Sequence, residues 1–204
     1  MAILTPAPIN FRQQIRSELS EALRLTYADI YPTALHLRVT MASTAGVPNV
    51  LPAPQFDTYR IPGDYTLVVG EIRAHIALNE LSNEAVGTGL LSATDIESRI
   101  VCKAMNARAT LVNADRDNLK VIETVISNSA NPTGLAGSIA LSDLMPAAGG
   151  APMRFIGDGK ALPLLVPGNE RLQLRIDLTN ADTGLLETEY GLVLMGAFCR
   201  SRGS

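Results

Sequence analysis

Residues 171–180 carry the pattern that most restricts the fold of this chain, a strict alternation of apolar and polar side chains. The apolar set is Leu172, Leu174, Ile176 and Leu178, and the polar set is Arg171, Gln173, Arg175, Asp177 and Thr179. Because successive side chains of a strand point to opposite faces, this repeat predicts a β-strand with one buried and one solvated face. Such a strand belongs to a sheet that packs on a second layer.

Further strands are predicted on the N-terminal side of residues 171–180. The two-residue repeat recurs at 35–41 and 65–78, and shorter candidates lie at 56–61, 119–126, 154–156 and 162–166. Glycine and proline are frequent in residues 43–65, which predicts a stiff connection with a short edge strand at 56–61. Short strands joined by turns, without regular alternation of strand and helix, favour a mainly β, antiparallel β-sandwich.

Residues 191–200 predict another strand, and this one is apolar on both parities. One parity holds Leu192, Leu194 and Phe198, and the other holds Val193, Met195, Ala197 and Cys199. A strand that is apolar on both faces is expected to be buried on both faces. The outer face then needs cover from a helix, an arm or another subunit. We therefore predict an interface at Val193, Met195 and Ala197.

The N-terminal segment differs from the rest of the chain. Residues 1–10 are apolar with two prolines and predict an extended arm, and residues 11–30 predict an amphipathic helix that Pro32 ends. The apolar stripe of this helix is Ile15, Leu19, Leu23 and Tyr27. A helix of this length is marginal alone, so we predict that the stripe docks on a partner. The chain thus divides into an arm and helix (1–32) and a sandwich (33–204).

Residues 79–113 are harder to interpret. Residues 79–98 look like a loop. Residues 99–113 fit a helix capped by Asp95 or a strand. The helix would have Ile96, Ile100, Ala104 and Leu111 on one side, and the strand would alternate at Met105, Ala107, Ala109 and Leu111. The β-rich surroundings favour the strand. One helical turn is predicted at 139–144, before Pro146, and hairpin turns at 157–160 and 167–169.

The chain offers few parts for catalysis. It has two histidines, His36 and His75, and two cysteines, Cys102 and Cys199, whereas a structural zinc site needs about four ligands. Both histidines fall on polar strand faces and are expected to be solvated or at an interface. The cysteines are expected to be buried free thiols, with a disulfide between them left open. We expect no catalytic site, no metal and no cofactor.

Charge and hydropathy limit the partners. The chain has 17 Lys and Arg against 20 Asp and Glu, a net charge of -3, so nucleic acid is not an expected ligand. No apolar run is long enough to span a membrane, and no signal peptide is evident, so synthesis in the cytoplasm is expected. Charged residues make up 18% of the chain, below the usual ~25%, which suggests that partners cover part of the surface.

The C-terminal segment resembles small jelly-roll virion proteins of tailed phages, the capsid decoration or cement proteins and related head or neck components. The resemblance rests on the turn Pro167-Gly168-Asn169, on an L-x-L-x-I-x-L-x-N strand at 172–180, and on G-L-V-L-x-G at 191–196 followed by Arg200 and Arg202. It covers about a quarter of the chain. It implies a jelly-roll-like fold, a virion location, and a homotrimer that binds the major capsid protein and strengthens the shell.

Other functions remain open at this level. The N-terminal helix has no counterpart in that family, so a neck, tail or baseplate component, or a minor capsid subunit, is the main alternative. A carbohydrate-binding or receptor-binding sandwich is a further one. An enzyme of the metal-binding jelly-roll type is the least favoured, because two histidines cannot supply its usual ligand set.

Overall fold

The computed structural model describes residues 27–41, 53–78, 93–115, 119–120, 138–157, 160–161, 163–180 and 188–201. The longer elements are strands β1 (Tyr27–Met41), β2 (Gln55–Arg60) and β3 (Tyr65–Leu78), helix α1 (Ala93–Asn106), and strands β4 (Ala107–Asn113), β11 (Arg171–Leu178) and β12 (Thr188–Ser201). The short strands are β5 (Leu119–Lys120), β6 (Ile139–Ala140), β7 (Met153–Arg154), β8 (Ile156–Gly157), β9 (Lys160–Ala161) and β10 (Leu164–Val166). Two 3₁₀ turns lie at Leu141–Leu144 and Pro146–Ala148.

The described strands form two antiparallel sheets. The first sheet has the order β1-β12-β3-β10, with β7 beside β3, and the second has the order β2-β11-β4-β5, with β6 beside β4. Strands β8 and β9 pair as a separate hairpin, as predicted for residues 157–160. The chain is therefore mainly β with little helix, and its two sheets are consistent with a β-sandwich.

The core lies between the sheets and follows the two-residue repeats of the sequence. In β11, Leu172, Leu174 and Ile176 are fully buried, and the polar residues between them are not. In β1, the buried parity is Leu35, Leu37, Val39 and Met41. Removal of these apolar surfaces from water supplies the main favourable free energy of folding. The strand predictions at 35–41, 65–78 and 171–178 are confirmed.

Strand β12 lies at the centre of the first sheet, between β1 and β3. Leu194 pairs with Leu35 on one side and Ile72 on the other, and all three are buried in the core. Val193 and Met195, on the opposite parity, remain partly exposed. The prediction of a strand at 191–200 is therefore confirmed, with Leu192 and Leu194 facing the second sheet, and burial of both faces is found on that inner face but only in part on the outer one.

A bulge changes the environment of β12 after Met195. Strand β3 carries one extra residue, Gly70, between the positions that pair with Met195 and Gly196. Gly196 lies so close to β3 that a Cβ there would stand 1.9 Å from the carbonyl oxygen of Val68. Beyond it, Ala197 is fully buried within the single chain. Ala197, predicted at an interface with a partner, is therefore covered by its own chain, whereas Val193 and Met195 are partly exposed.

Strand β1 begins at Tyr27 and runs through Pro32, so the prediction of a helix that ends before Pro32 is wrong for residues 27–30. The backbone N–H of Arg38 donates to the Asp57 carboxylate at 2.8 Å, so it points away from β12, toward the free side of β1. Pro32 has the same parity as Arg38, so its nitrogen also faces the free side, where no ladder bond is lost. The predicted helix cannot extend over Tyr27–Ile30. The arm and the rest of the helix, with Ile15, Leu19 and Leu23, lie outside the described residues.

Residues 93–113 divide into helix and strand at one position. Helix α1 runs to Asn106 and β4 begins at Ala107, so the preference for a strand is wrong for 99–106 and right for 107–113. The loop prediction is wrong from Ala93 onward, and residues 79–92 lie outside the described residues. Asn106 fixes the junction, because its Oδ1 accepts hydrogen bonds from Thr179 Oγ1 at 2.9 Å and from the Asn180 backbone N–H at 2.7 Å.

The remaining short predictions are mostly confirmed. A helical turn occupies Leu141–Leu144, and β10 falls within the predicted 162–166. The turn at 167–169 contains Asn169 with a φ of 66°, a left-handed conformation that asparagine tolerates better than most residues. Strand β5 confirms the start of the candidate at 119–126, and residues 121–126 lie outside the described part of the chain.

Candidate interaction surface

The outer face of the first sheet, the side turned away from the second sheet, gathers charged residues from four strands. Strand order places β1, β12, β3 and β7 side by side. Their outward side chains meet in cross-strand rows, although they come from distant parts of the sequence. The charged and titratable members are His36, Arg38, Glu71, Arg73, His75, Arg154 and Glu189.

Two of these members are the two histidines of the chain. The rings of His36 on β1 and His75 on β3 stand 5.8 Å apart, centroid to centroid, and nearly perpendicular. Gly191 of β12 pairs with Arg38 on one side and His75 on the other. A Cβ at position 191 would lie 2.3 Å from the carbonyl oxygen of Leu37, so the close approach of β1 here requires glycine.

Glu189 links β12 to both neighbouring strands. Its Oε1 lies 2.7 Å from His75 Nε2 and 3.3 Å from Arg38 Nη1. Burial raises the pKa of this carboxyl. The hydrogen bonds and electrostatic attraction of His75 and Arg38 together outweigh the burial, so the pKa of Glu189 lies below its usual value of 4.5. Glu189 therefore favours its ionised form, between His75 and Arg38.

Glu71 is buried on the same outer face. Its side chain is 1% exposed, whereas those of Arg73 and Arg154 are 46% and 51% exposed. Arg73 Nε donates to one carboxylate oxygen, and Arg154 Nε donates to the other at 3.1 Å. Because one carboxylate holds both guanidinium groups, the two cations are fixed side by side. We call Arg73 and Arg154, together with the Glu71 carboxylate that holds them, the arginine pair.

Apolar side chains lie between these charges. Val193 is in register with His36 and Arg73, and Met195 is in register with Glu71. Both are partly exposed, with charged residues beside them on β3 and with Ala34 beside Met195 on β1. An apolar centre within a polar rim is the usual anatomy of a protein–protein interface. The predictions for Val193 and Met195 therefore fall on a surface with the composition of a contact site.

The outer face of the second sheet also carries ion pairs between neighbouring side chains. Arg175 Nη2 lies 2.7 Å from Asp177, and Arg171 Nη2 lies 2.9 Å from Asp115. The side-chain hydrogen bond with Asp115 raises the pKa of Arg171 above its usual value. The guanidinium of Arg175 also lies 5.9 Å from the ring centre of Phe56. These are surface ion pairs within one sheet, each worth little in stability.

Four aromatic rings gather where β1, β2, β3 and β12 approach one another. Tyr31 and Tyr65 stand 5.9 Å apart, and Phe198 lies 6.2 Å from Tyr65 and 6.4 Å from Tyr59, all measured between ring centres. Tyr31 is 50% exposed, so the cluster is accessible from one side. The sequence pattern did not indicate that these four rings meet, because they come from four different strands.

The two cysteines lie in different environments. Cys102 is exposed and Cys199 is buried, and both are free thiols, so the expectation of two buried cysteines is wrong for Cys102. Burial raises the pKa of the Cys199 thiol to about 11.

Tyr27, predicted on a helical stripe, pairs with Ser201 in the first sheet. The arginine pair was missed, and only the spacing of Glu71 and Arg73 on one strand face could have indicated it.

Within the described ranges, no group of three or more His, Cys, Asp and Glu residues is arranged to hold a metal ion. The same part of the chain contains no helix that is long and apolar enough to cross a membrane. No protein-family model matches this chain, and no curated protein or solved structure matches it either. The fold defines the class of the protein as mainly β with two antiparallel sheets.

Proposed function

We propose that this chain is a structural virion protein, a capsid decoration or cement protein that stabilises a phage head through contacts with its own copies and with the major capsid protein. The observation that carries the proposal is the outer face of the first sheet. There, Val193 and Met195 remain partly exposed at the centre of the sheet, with Arg73 and Glu71 beside them on β3. A permanent contact surface has this composition.

The positions of the C-terminal elements support a jelly-roll-like arrangement of the sandwich. The strand that resembles the family repeat is β11, inside the second sheet, and the G-L-V-L-x-G strand is β12, at the centre of the first. The consecutive strands β11 and β12 thus lie in opposite sheets, and β1 to β4 also alternate between the sheets, as strands do in double-sheet jelly rolls. The proposed architecture adds an N-terminal arm and helix at residues 1–26, before β1.

The proposal includes a defined set of partners. The chain acts in the virion without catalysis and without a cofactor, and it binds neither nucleic acid nor membrane. Its self-association produces a homotrimer, and each stable contact is expected to bury more than roughly 1,000 Å² in total. The net charge of -3 supports a protein partner over a nucleic acid.

Sedimentation and particle binding test the proposal. The full chain at micromolar concentration is expected to sediment as a trimer and to pellet with phage heads that lack it. Antibodies against the chain should label the head surface in electron micrographs of the source particle. A monomer that stays in the supernatant with every head preparation contradicts the proposal. Label confined to the neck or tail favours the alternative position as a neck, tail or baseplate component.

The aromatic cluster favours a second candidate, a carbohydrate-binding or receptor-binding sandwich. Sugars stack on exposed aromatic rings, and Tyr31 offers such a ring beside Tyr65 and Phe198. A glycan array probed with the full chain distinguishes the two functions. Binding that Tyr31→Ala abolishes supports the second candidate, and an array without signal removes it.

A further inference from the structure

We propose that the arginine pair of Glu71, Arg73 and Arg154 is a preformed docking site for an acidic side chain on the surface of a partner protein. The proposal rests on the proposed function, since it names the chemistry of the partner that the outer face of the first sheet binds. A carboxylate from the partner bonds to the terminal nitrogens of both guanidinium groups, and apolar side chains beside it contact Met195 and Val193.

The geometry of the arginine pair leaves the terminal nitrogens of both guanidinium groups available to bind a ligand. Each arginine donates to Glu71 through Nε, and within the described part of the chain neither guanidinium has another hydrogen-bond partner. A guanidinium has five N–H donors in a fixed plane, so the terminal nitrogens remain available for a second oxyanion. Both side chains are about half exposed, whereas the carboxylate that holds them is buried.

The burial of Glu71 points to a positioning role. A buried carboxylate costs free energy even when it is paired, and an apolar residue of similar size is often equally stable in such a place. Fully buried apolar residues, Val68 and Ala197, lie in the adjoining row of the same face. What a glutamate adds at position 71 is a fixed orientation for two flexible arginines. Fixing them in advance lowers the entropy cost of binding an anion.

The charges select the partner. The pair has a net charge of +1, and with Arg38 and Glu189 the outer face carries three arginines against two glutamates. Two copies that met face to face through this surface would bring like charges together, so of the two proposed contacts we assign it to the other virion protein and not to the contact between copies. The chain as a whole has a net charge of -3, which disfavours a polyphosphate. An acidic protein surface with apolar neighbours satisfies both conditions.

The proposal is tested by whether Glu71→Gln weakens or tightens the binding of an acidic peptide. Fluorescence anisotropy would measure binding of a labelled oligoglutamate peptide to the full chain, with an oligonucleotide of equal charge as the comparison. Glu71→Gln raises the net charge of the face by one, so simple attraction predicts tighter binding. A positioned pair predicts the opposite, about tenfold weaker binding, because two charge-assisted hydrogen bonds lose their orientation.

A matched control separates charge from geometry. Glu189→Gln makes the same charge change on the same face without touching the arginine pair, so peptide binding should be equal or tighter. The variant R73K/R154K keeps the charge and removes the planar forks, and we expect about tenfold weaker peptide binding. Circular dichroism and thermal unfolding of each variant establish that it is folded.

Two results would overturn the proposal. One is tighter peptide binding by folded Glu71→Gln, and the other is binding of the oligonucleotide as tight as that of the peptide. Each indicates a general electrostatic patch. The particle-binding assay tests the virion role independently of the peptide-binding assay. A chain that pellets with heads while Glu71→Gln binds the peptide more tightly refutes the docking site alone. A chain that never pellets but shows the predicted signs refutes only the virion role.

Discussion

Replacement of Leu194 by alanine should destabilise the chain strongly, whereas the same change at Met195 should not. The two residues are neighbours on β12 and point to opposite faces. Leu194 is fully buried between Leu35 and Ile72 and belongs to the same core cluster as Leu174 of the second sheet. Met195 is partly exposed on the outer face.

The magnitude follows from the atoms removed. Leu194→Ala deletes three carbons, which at about 0.8 kcal/mol for each buried CH₂ amounts to roughly 2.4 kcal/mol. The cavity between two packed sheets adds to this, for a total of about 3–4 kcal/mol. In a chain of this size, that loss lowers the melting temperature by roughly 6–16 °C. Met195→Ala should cost less than about 1 kcal/mol.

Urea unfolding followed by far-ultraviolet circular dichroism is the suitable assay, because the chain contains no tryptophan. Both variants should keep the wild-type dependence on urea concentration, and only the midpoint of Leu194→Ala should move far. Equal losses at the two positions would refute the assignment of the faces of β12. Met195→Ala provides the complementary result, since it should weaken particle binding while it leaves the free energy of unfolding almost unchanged.

Three further predictions concern thiols, acid and the helix–strand junction. Iodoacetamide at neutral pH should modify Cys102 in the native chain and spare Cys199, because burial raises the pKa of Cys199 to about 11; two mass additions before denaturation would contradict this. Burial raises the pKa of Glu189, but His75 and Arg38 together lower it by more, so its pKa in the folded state lies below the usual value of 4.5. The ionised carboxylate therefore stabilises the fold at a pH above 4.5, and this stabilisation is lost as the pH falls through the lower pKa of the folded state. Urea titrations should therefore find Glu189→Gln less stable than wild type at neutral pH and equal to it in strong acid. Asn106→Ala should lose about 1–2 kcal/mol in thermal unfolding, because it removes the side-chain hydrogen bonds from the end of α1 to Thr179 and Asn180, and an unchanged melting temperature would argue against that role.

The strands were predictable where one residue period extended over a whole element. Residues 171–178 alternate without interruption, and the burial of β11 follows them residue by residue. At 93–113 two periods meet, since Ile96, Ile100 and Ala104 follow a helix and residues from Ala107 follow a strand. A single assignment for 99–113 had to fail, because the change occurs between two adjacent residues without a turn signal.

The surface was predictable only in part, because strand order decides it. Alternation correctly placed Arg73 and His75 on the outer face of β3 and His36 on the outer face of β1. It could not indicate that β12 lies between those strands, and therefore that the two histidine rings meet. The arginine pair needs β7 beside β3, which brings Arg154 from 83 positions away to Glu71. Pro32 shows the same limit, since its place in a strand depends on which side of β1 is free.

The central position of β12 has a consequence for synthesis. Strands β1 and β3 both precede it, and each has β12 as its long partner in the first sheet. On the ribosome, these two strands emerge early, and the edges that pair with β12 stay unpaired until residues 188–201 follow. During that interval the unpaired edges and the apolar side chains are exposed to chaperones and to aggregation. The outer surface of the first sheet therefore exists only in a polypeptide translated through β12. A truncated product lacks the surface, and it cannot compete with the complete protein for the same partner.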